Sequence, residues 1–278
     1  MKKLSRRSFI KSALAVSTFP LVINAKSEQN LKFIHVTDSH LDLNDSDTIS
    51  ALELMVTFVN DNYKDLDFVL FGGDNFNNLD PKNSDALKFK DIIIKLNCPS
   101  FIVRGNKESS PKNDDAIRLP EFQKIFCSDK SLTLQGKDWL LKKNGYYILG
   151  LDSCVEDSDN GLYTEETFAF ARSILDKGKL TLILDHHPYT NYKNDTEEKE
   201  LQKYVLKNTL EAQKKLFTYK NLLLTLSGHS HIDSVKELHG TKAIVTRGFI
   251  RPLDLDMYPM RYVELNGNKI SEKLIYTE

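Results

Sequence analysis

The chain has 278 residues, 40% of them hydrophobic, so it can bury a substantial core in one large or two small domains. It carries 38 basic and 39 acidic residues, and because five of the basic ones precede residue 12, the body that follows has a formal charge of −6. An acidic body argues against a broad nucleic-acid-binding surface, and three widely spaced cysteines without a CxxC pair argue against a thiolate metal framework.

The first 25 residues have the composition of a secretory signal. A basic segment without acids is followed by an apolar stretch at residues 13–23, which is well short of the ~20 residues that a transmembrane helix needs. Residues 5–11 read Ser-Arg-Arg-Ser-Phe-Ile-Lys and resemble the twin-arginine export motif. We therefore expect residues 1–25 to engage the twin-arginine export machinery. Residues 26–278 should then form one domain, periplasmic or otherwise exported and without a membrane span when mature. An uncleaved N-terminal anchor is the alternative.

The rest of the chain alternates strands and helices. Apolar runs of strand length cover residues 31–37, 68–71, 101–103, 181–184 and 222–226. Helices are predicted from Ser46 or Asp47 to about residue 64, from Ser84 to before Pro99, from Thr164 to residue 174 and from about residue 196 to residue 217. A hairpin is predicted around Asn144-Gly145, and further strands at residues 235–238, 243–246, 262–265 and 270–276. This pattern indicates a mixed α/β fold with a β-rich C-terminal third.

Each of the five apolar runs leads into side chains that can bind metal. They are Asp38, His40, Asp74, Asn106, His186, His229 and His231. Because ligands collect beyond the carboxyl ends of strands in open α/β sheets, these side chains should face one cleft. Oxygen and imidazole donors without thiolate suit Mn, Fe or Zn, with Mg as the option at the more oxygen-rich position. Seven ligands are too many for one tetrahedral ion, so the sequence predicts two divalent metal ions.

The same motifs resemble those of the calcineurin-like metallophosphoesterases, in order and in approximate spacing. They are Asp38-Ser39-His40, Gly73-Asp74, Gly105-Asn106, His186 and Gly228-His229-Ser230-His231. The resemblance covers about residues 32–262. Chain length and residues 146–153 and 161–175 look most like the class III cyclic-nucleotide phosphodiesterase branch.

The resemblance implies a four-layer α/β/β/α sandwich of two mixed sheets with a dinuclear centre. Asp74 would bridge the ions, with Asp38, His40 and His231 completing one site and Asn106, His186 and His229 the other. Two such ions bind phosphate oxygens, lower the pKa of a bridging water and stabilise the attacking and leaving oxygens. We expect an exported metal-dependent phosphoesterase that acts on a phosphodiester or phosphoanhydride of a small nucleotide-like substrate, without a stable nucleic-acid complex.

Lys107 departs from the family pattern. The family usually has Gly-Asn-His followed by an acid, whereas residues 105–108 read Gly-Asn-Lys-Glu. The usual histidine is understood to contact phosphate and to protonate the leaving group, but a lysine is a poor proton donor unless its pKa is lowered. We predict that Lys107 is a catalytic side chain that binds phosphate as a point charge and that good leaving groups are favoured. The alternatives are a phosphate-scavenging phosphomonoesterase and a catalytically weak, metal-retaining binding protein.

Three further polar residues need an interpretation. His187 is the alternative to His186 as a ligand, and His186 is preferred because the family ligand is followed by one residue and then a proline, here Pro188. His35 lies within a predicted strand and should be packed or solvated rather than ligating. Arg104 is expected to be structural or solvated rather than bound to substrate.

Overall fold

The computed structural model describes residues 29–77, 82–109, 117–190, 203–250 and 258–277. The predicted signal at residues 1–25 lies outside these ranges, as does the part of the predicted charged helix before residue 203. Among the helices of the described ranges, none has the length and apolar character to cross a bilayer.

The first sheet has five strands, three of them parallel. These are β1 (Asn30–Val36), β2 (Phe68–Phe71) and β3 (Ser100–Ile102). Two C-terminal strands, here named β11 (Pro259–Asn266) and β12 (Lys269–Tyr276), extend the sheet beyond β1. The strand β11 pairs antiparallel with β1, and β12 pairs antiparallel with β11. The order is β12-β11-β1-β2-β3, so the carboxyl ends of the three parallel strands lie at one edge of the sheet.

The second sheet has seven strands and is also mixed. They are β4 (Leu132–Gln135), β5 (Asp138–Lys143), β6 (Tyr146–Gly150), β7 (Thr181–Leu184), β8 (Leu222–Ser227), β9 (Ser234–Leu238) and β10 (Thr241–Val245). Their order is β4-β5-β6-β7-β8-β10-β9, with β6, β7, β8 and β10 parallel. The predicted hairpin joins β5 to β6, and Asn144 and Gly145 both take the positive φ that a tight turn requires.

Six helices lie wholly within the described residues. They are α1 (Ser46–Asn62), α2 (Ser84–Ile93), α3 (Asn106–Ser109), α4 (Leu119–Phe126), α5 (Glu165–Leu175) and α6 (Thr209–Leu216). Thr164 caps α5 as predicted, since its side chain accepts a hydrogen bond from the Thr167 amide. The predicted cap of α1 was one or two residues late, because Asp45 is the residue whose side chain accepts from the amide of Asp47.

The helix predicted up to residue 217 was also wrong in its continuity. Within the described residues, 203 and 204 are helical, but the helix is interrupted at residues 205–208 before α6 begins at Thr209, because the backbone at Leu206 pairs with Gly161 and donates to the carbonyl of Pro188. The Asn208 side chain then bonds to both backbone groups of Tyr163, which turns the chain before α6 starts.

Successive side chains on the strands of the second sheet pack on opposite faces, one toward the first sheet and one toward helices. On β6, Ile148 packs in a cluster that includes the first sheet, α1 and α2, whereas Leu149 packs in a cluster with α5 and α6. On β7, Leu182 and Ile183 divide in the same way. The two sheets therefore face each other and carry helices on their outer sides, which confirms the predicted four-layer α/β/β/α fold.

Candidate metal centre

The predicted ligands lie where loops from both sheets meet. The amides of Asp38 and His40, after β1, donate to the carbonyls of Gly73 and Asp74, after β2. In the second sheet, the Gly228 amide, after β8, donates to the carbonyl of His186, after β7. The two sheets are joined at the same place, because the amide of His229 donates to the Asp38 carboxylate at 2.9 Å. The strand ends of both sheets thus form one site, as the sequence predicts.

Five of the seven predicted ligands have left-handed backbone conformations. Their φ values run from +41° to +65°, at Asp38, His40, Asp74, His229 and His231. Such conformations are uncommon for residues other than glycine, and clusters of them mark sites where backbone strain is held for a functional geometry.

One group of side chains consists of Asp38, His40 and His231. The Nε2 atoms of the two histidines are 3.2 Å apart, and His231 Nε2 is 3.4 Å from Asp38 Oδ1. Asp38 itself is fully buried and is fixed by the Thr37 hydroxyl, which donates to its Oδ2 at 2.8 Å. A Cβ at position 228 would overlap both Thr37 and Asp38, so only glycine allows this approach.

A second group is centred on His186. Its Nε2 is 3.1 Å from the side-chain oxygen of Asn106 and 3.4 Å from Asp74 Oδ1. Its Nδ1 is 2.8 Å from the carbonyl of Gly72. A carbonyl can only accept, so this bond places a proton on Nδ1 and directs the Nε2 lone pair of the neutral ring into the site.

His229 is oriented in the opposite sense. Its Nε2 forms a short hydrogen bond with the carbonyl of Lys203. That contact places the proton of the neutral ring on Nε2 and leaves the lone pair of Nδ1 to bind a metal ion. This ring lies 5.0 Å from the ring of His186.

His187 completes a cluster of three histidines but has partners of its own. Its Nδ1 is 2.8 Å from the Ser153 hydroxyl and its Nε2 is 3.3 Å from the carbonyl of Asp159. Its ring packs over Gly161, where a Cβ would overlap it, and lies 4.5 Å from the ring of His229. Because the nitrogens of His187 contact Ser153 and Asp159, whereas His186 Nε2 lies next to the predicted ligands Asn106 and Asp74, this arrangement favours His186 over His187 as the ligand.

Asp74 lies between the two groups. Its Oδ1 is on the His186 side and its Oδ2 is 4.0 Å from His40 Nε2. One carboxylate thus has one oxygen toward each group, which is the arrangement that a bridging ligand requires.

The donor separations fit metal ions. With metal–nitrogen bonds of about 2.1 Å, neighbouring ligands of a tetrahedral or octahedral ion are roughly 3.0 to 3.4 Å apart. The separations at His40/His231, His231/Asp38, His186/Asn106 and His186/Asp74 are 3.2, 3.4, 3.1 and 3.4 Å. The donors are oxygen and imidazole nitrogen, so they suit borderline or hard divalent ions.

The charges of the buried acids also favour a cation. Burial opposes ionisation of Asp38, but its hydrogen bond to His231 and that ring's positive charge bring the pKa to about 2. The pKa of Asp74 is likewise held well below its usual range, against burial, by His186. Burial opposes charging of His186, yet Asp74 and Asp38 raise its pKa to about 10. Two buried carboxylates thus stabilise positive charge at this position, as protons or as metal ions.

Lys107 begins close to the bridging position. Its backbone N–H donates to Asp74 Oδ1 at 2.7 Å, and its side chain is partly exposed. A Cβ on the preceding Gly105 would overlap the backbone and carboxylate of Asp74, which explains why the chain turns through glycine here.

Glu108 is a structural residue whose partners the sequence did not reveal. Its buried carboxyl accepts hydrogen bonds from four backbone amides, those of Gly105, Asp74, Asn75 and Phe76, at 2.6 to 3.3 Å. Burial and the nearby charge of Asp74 raise its pKa to about 7. Glu108 therefore ties the loop after β3 to the loop after β2. The only sequence signal was the acid that follows the Gly-Asn-Lys motif.

The structure also places the other polar residues singled out in the sequence. His35 is fully buried, with its Nδ1 2.8 Å from the Thr246 hydroxyl, so it is packed as predicted. Arg104 is buried and paired with Asp152 at 2.7 Å and Glu156 at 2.6 Å, which makes it structural.

Comparison with known proteins gives a family match over most of the chain. The family model described as calcineurin-like phosphoesterase matches residues 31–233. One relative is a 3′,5′-cyclic adenosine monophosphate phosphodiesterase, CpdA, of Haemophilus influenzae. It is 23% identical over 224 residues, which cover 78% of this chain and 75% of the relative.

Solved structures share the fold at low sequence identity. A dimetal phosphatase from Danio rerio superimposes with a TM-score of 0.64 and 13% identity, covering 89% of this chain and 99% of that one. The purple acid phosphatase PPD1 from seeds of yellow lupin, Lupinus luteus, gives a TM-score of 0.63 and 11% identity, covering 91% of this chain and 52% of that one.

Proposed function

Because the chain belongs to the calcineurin-like phosphoesterase family, we propose that it is a dinuclear phosphodiesterase acting on a small nucleotide-like phosphodiester or phosphoanhydride. Family membership makes it a metal-dependent phosphoric ester hydrolase. The observation that supports a two-ion site is the position of Asp74, whose two carboxylate oxygens lie toward His186 and toward His40.

The proposal assigns each group of side chains to one ion. Asp38, His40 and His231 would hold the first, and Asn106, His186 and His229 the second, with Asp74 between them. Mn, Fe and Zn suit this donor set, and Mg remains an alternative. When bound, such ions supply Lewis acidity and a nucleophilic hydroxide for in-line displacement at phosphorus.

The protein's own side chains would bind and orient the phosphate. Lys107 follows Asn106 and has its amide on the Asp74 carboxylate, so its ammonium can approach a phosphate held at the same place. A lysine supplies positive charge but is a poor proton donor, so the substrate should have a leaving group that departs without protonation. This chemistry fits an activated ester or an anhydride better than an alkyl monoester.

A nucleotide-like substrate is supported by the relative that acts on cyclic adenosine monophosphate. Export through the twin-arginine pathway, proposed from residues 5–11, would separate this protein from cytoplasmic cyclic nucleotides. We therefore propose that this chain hydrolyses a phosphodiester, as that relative does, but that its substrate is not cyclic adenosine monophosphate.

The test compares bis(p-nitrophenyl) phosphate with p-nitrophenyl phosphate, using protein loaded with Mn and the same protein stripped by a chelator. We expect chelator-sensitive turnover that favours the diester. Faster turnover of the monoester would contradict the proposal and favour a phosphate-scavenging phosphomonoesterase. No turnover of either, with about two ions bound per chain, would favour the metal-retaining binding protein.

The matched control uses two histidines with the same backbone conformation. His231 has φ +54° and belongs to the proposed centre, whereas His239 has φ +52° in an exposed turn. Asparagine tolerates this conformation, so His231→Asn and His239→Asn strain the backbone equally. Turnover should be lost in the first variant and unchanged in the second.

A further inference from the structure

The segment between β6 and α5, residues 151–164, packs against the loop that carries Asn106. Arg104, just after β3, forms its ion pairs with Asp152 and Glu156 of this segment. The amide of Asp157 donates to the carbonyl of Ser109 at 3.1 Å. The segment is therefore fixed on both sides of the loop that carries Asn106.

Asp159 is the residue of this segment that contacts both Asn106 and His187. Its Oδ1 accepts a hydrogen bond of 3.3 Å from the side-chain nitrogen of Asn106. Its backbone carbonyl is 3.3 Å from His187 Nε2, and His187 packs against His229. Asp159 thus contacts Asn106 directly and His229 through His187.

The contact with Asn106 selects one orientation of an otherwise symmetrical amide. An ionised carboxylate only accepts hydrogen bonds, so it pairs with the NH₂ end of Asn106. The oxygen end is thereby directed toward His186 Nε2, at 3.1 Å. Only the oxygen can coordinate a metal ion, because an amide NH₂ group has no available lone pair. Rotation of the amide by 180° would replace a ligand by a donor pointing at the cation.

We propose that Asp159 is a positioning residue that orients Asn106 as an oxygen ligand of the second ion. This inference rests on the proposed dinuclear function. Outer-shell partners of metal ligands commonly change metal affinity by about 10- to 100-fold when they are removed.

The test measures metal affinity directly, by calorimetric titration of metal-stripped protein with Mn. In Asp159→Ala we expect the second ion to bind about 10- to 100-fold more weakly and the first ion to bind as in the unmodified chain. Asp157→Asn is the control, since Asp157 lies exposed in the same segment and asparagine tolerates its φ of +62°. Circular dichroism and a thermal melt check that each variant is folded.

A charge-exchanged pair distinguishes positioning from a general structural role. Asn106→Asp keeps an oxygen ligand but places two carboxylates opposite each other, so the second ion should bind more weakly. Adding Asp159→Asn restores a donor facing an acceptor, and affinity should recover in the double variant.

The outcomes separate the inference from the function on which it rests. If the unmodified chain binds two ions and Asp159→Ala binds the second equally tightly, the positioning role is wrong and the dinuclear function stands. Losses that merely add in the double variant would also overturn it. An unmodified chain that binds fewer than two ions would overturn the dinuclear function and this inference together.

Discussion

The Nε2 atoms of His40 and His231 lie 3.2 Å apart, although 191 positions separate the two residues in the chain. His40 follows β1 of the first sheet and His231 follows β8 of the second, so this contact joins the two sheets. Two imidazole nitrogens at this separation are stabilised by a cation between them. Metal binding should therefore stabilise the whole sandwich as well as create the site.

The first prediction concerns thermal stability. A ligand that binds only the folded state contributes about 2.7 kcal/mol at a concentration one hundred times its Kd. Adding Mn to metal-stripped protein should therefore raise Tm, and His231→Asn should reduce this increase. His239→Asn should behave like the unmodified chain. A Tm that does not depend on metal would contradict metal binding between the sheets.

The second prediction concerns Lys107. Replacing it by histidine restores a side chain that can donate a proton near neutral pH. Lys107→His should raise kcat most for diesters with poor leaving groups, and the dependence of log kcat on leaving-group pKa should become shallower. Lys107→Arg keeps only the charge and should retain the steep dependence. An unchanged dependence in Lys107→His would show that residue 107 takes no part in the chemical step.

The third prediction concerns the buried ion pair of Arg104. Removing one partner of a buried pair leaves an uncompensated charge, which typically costs about 3 to 5 kcal/mol. Arg104→Met should lower the free energy of unfolding by that amount in urea denaturation, because Asp152 remains buried. Arg118→Met is the control, since Arg118 is mostly exposed and approaches Glu156 only to 3.9 Å. Its effect should be within about 0.5 kcal/mol. Equal effects of the two substitutions would contradict the structural role of Arg104.

The fourth prediction concerns the pH dependence of stability at Asp138. Burial raises the pKa of this carboxyl to about 7 in the folded chain, from 3.8. Between about pH 4 and pH 7 the folded state therefore binds more protons than the unfolded state, and this group's contribution is lost as the pH rises. The full loss is about 4 kcal/mol at most.

Asp138→Asn removes this titration while its side-chain oxygen can still accept from the Asp152 amide, a bond of 2.8 Å in the unmodified chain. Relative to the unmodified chain, the variant should gain stability from pH 5 to about pH 7 in chemical denaturation, and the gain should level off by pH 8. A difference between the two proteins that stays constant over this range would contradict a raised pKa at Asp138.

The parts of the fold that follow local patterns could be predicted from sequence. β2 and β7 were predicted with their observed bounds, because each is a short, fully buried apolar run. The strand β4 was missed because it is a largely exposed edge strand whose alternation of apolar and polar residues covers only four positions. The helix α4 was missed because it has only eight residues, too few for a clear helical periodicity of apolar residues.

The candidate site also contains residues that the sequence pattern predicts and residues that it does not. The side chains that the structure brings together could be predicted because each lies within four residues of the end of a strand. Glu108 and Asp159 could not be assigned, because their roles depend on partners 34 and 53 positions away along the chain. Orientation by hydrogen bonds across loops leaves no periodic signal in a single sequence.

The most direct test of the dinuclear account is the number of metal ions per chain, measured by elemental analysis on the unmodified protein and on Asp74→Ala. Diester turnover is measured on the same samples, with Asp61→Ala of the exposed face of α1 as the control. We predict about two ions per chain in the unmodified protein and in the control, and loss of metal and turnover together in Asp74→Ala. Normal metal content with full activity in Asp74→Ala would contradict the bridging position of Asp74 and with it the dinuclear centre.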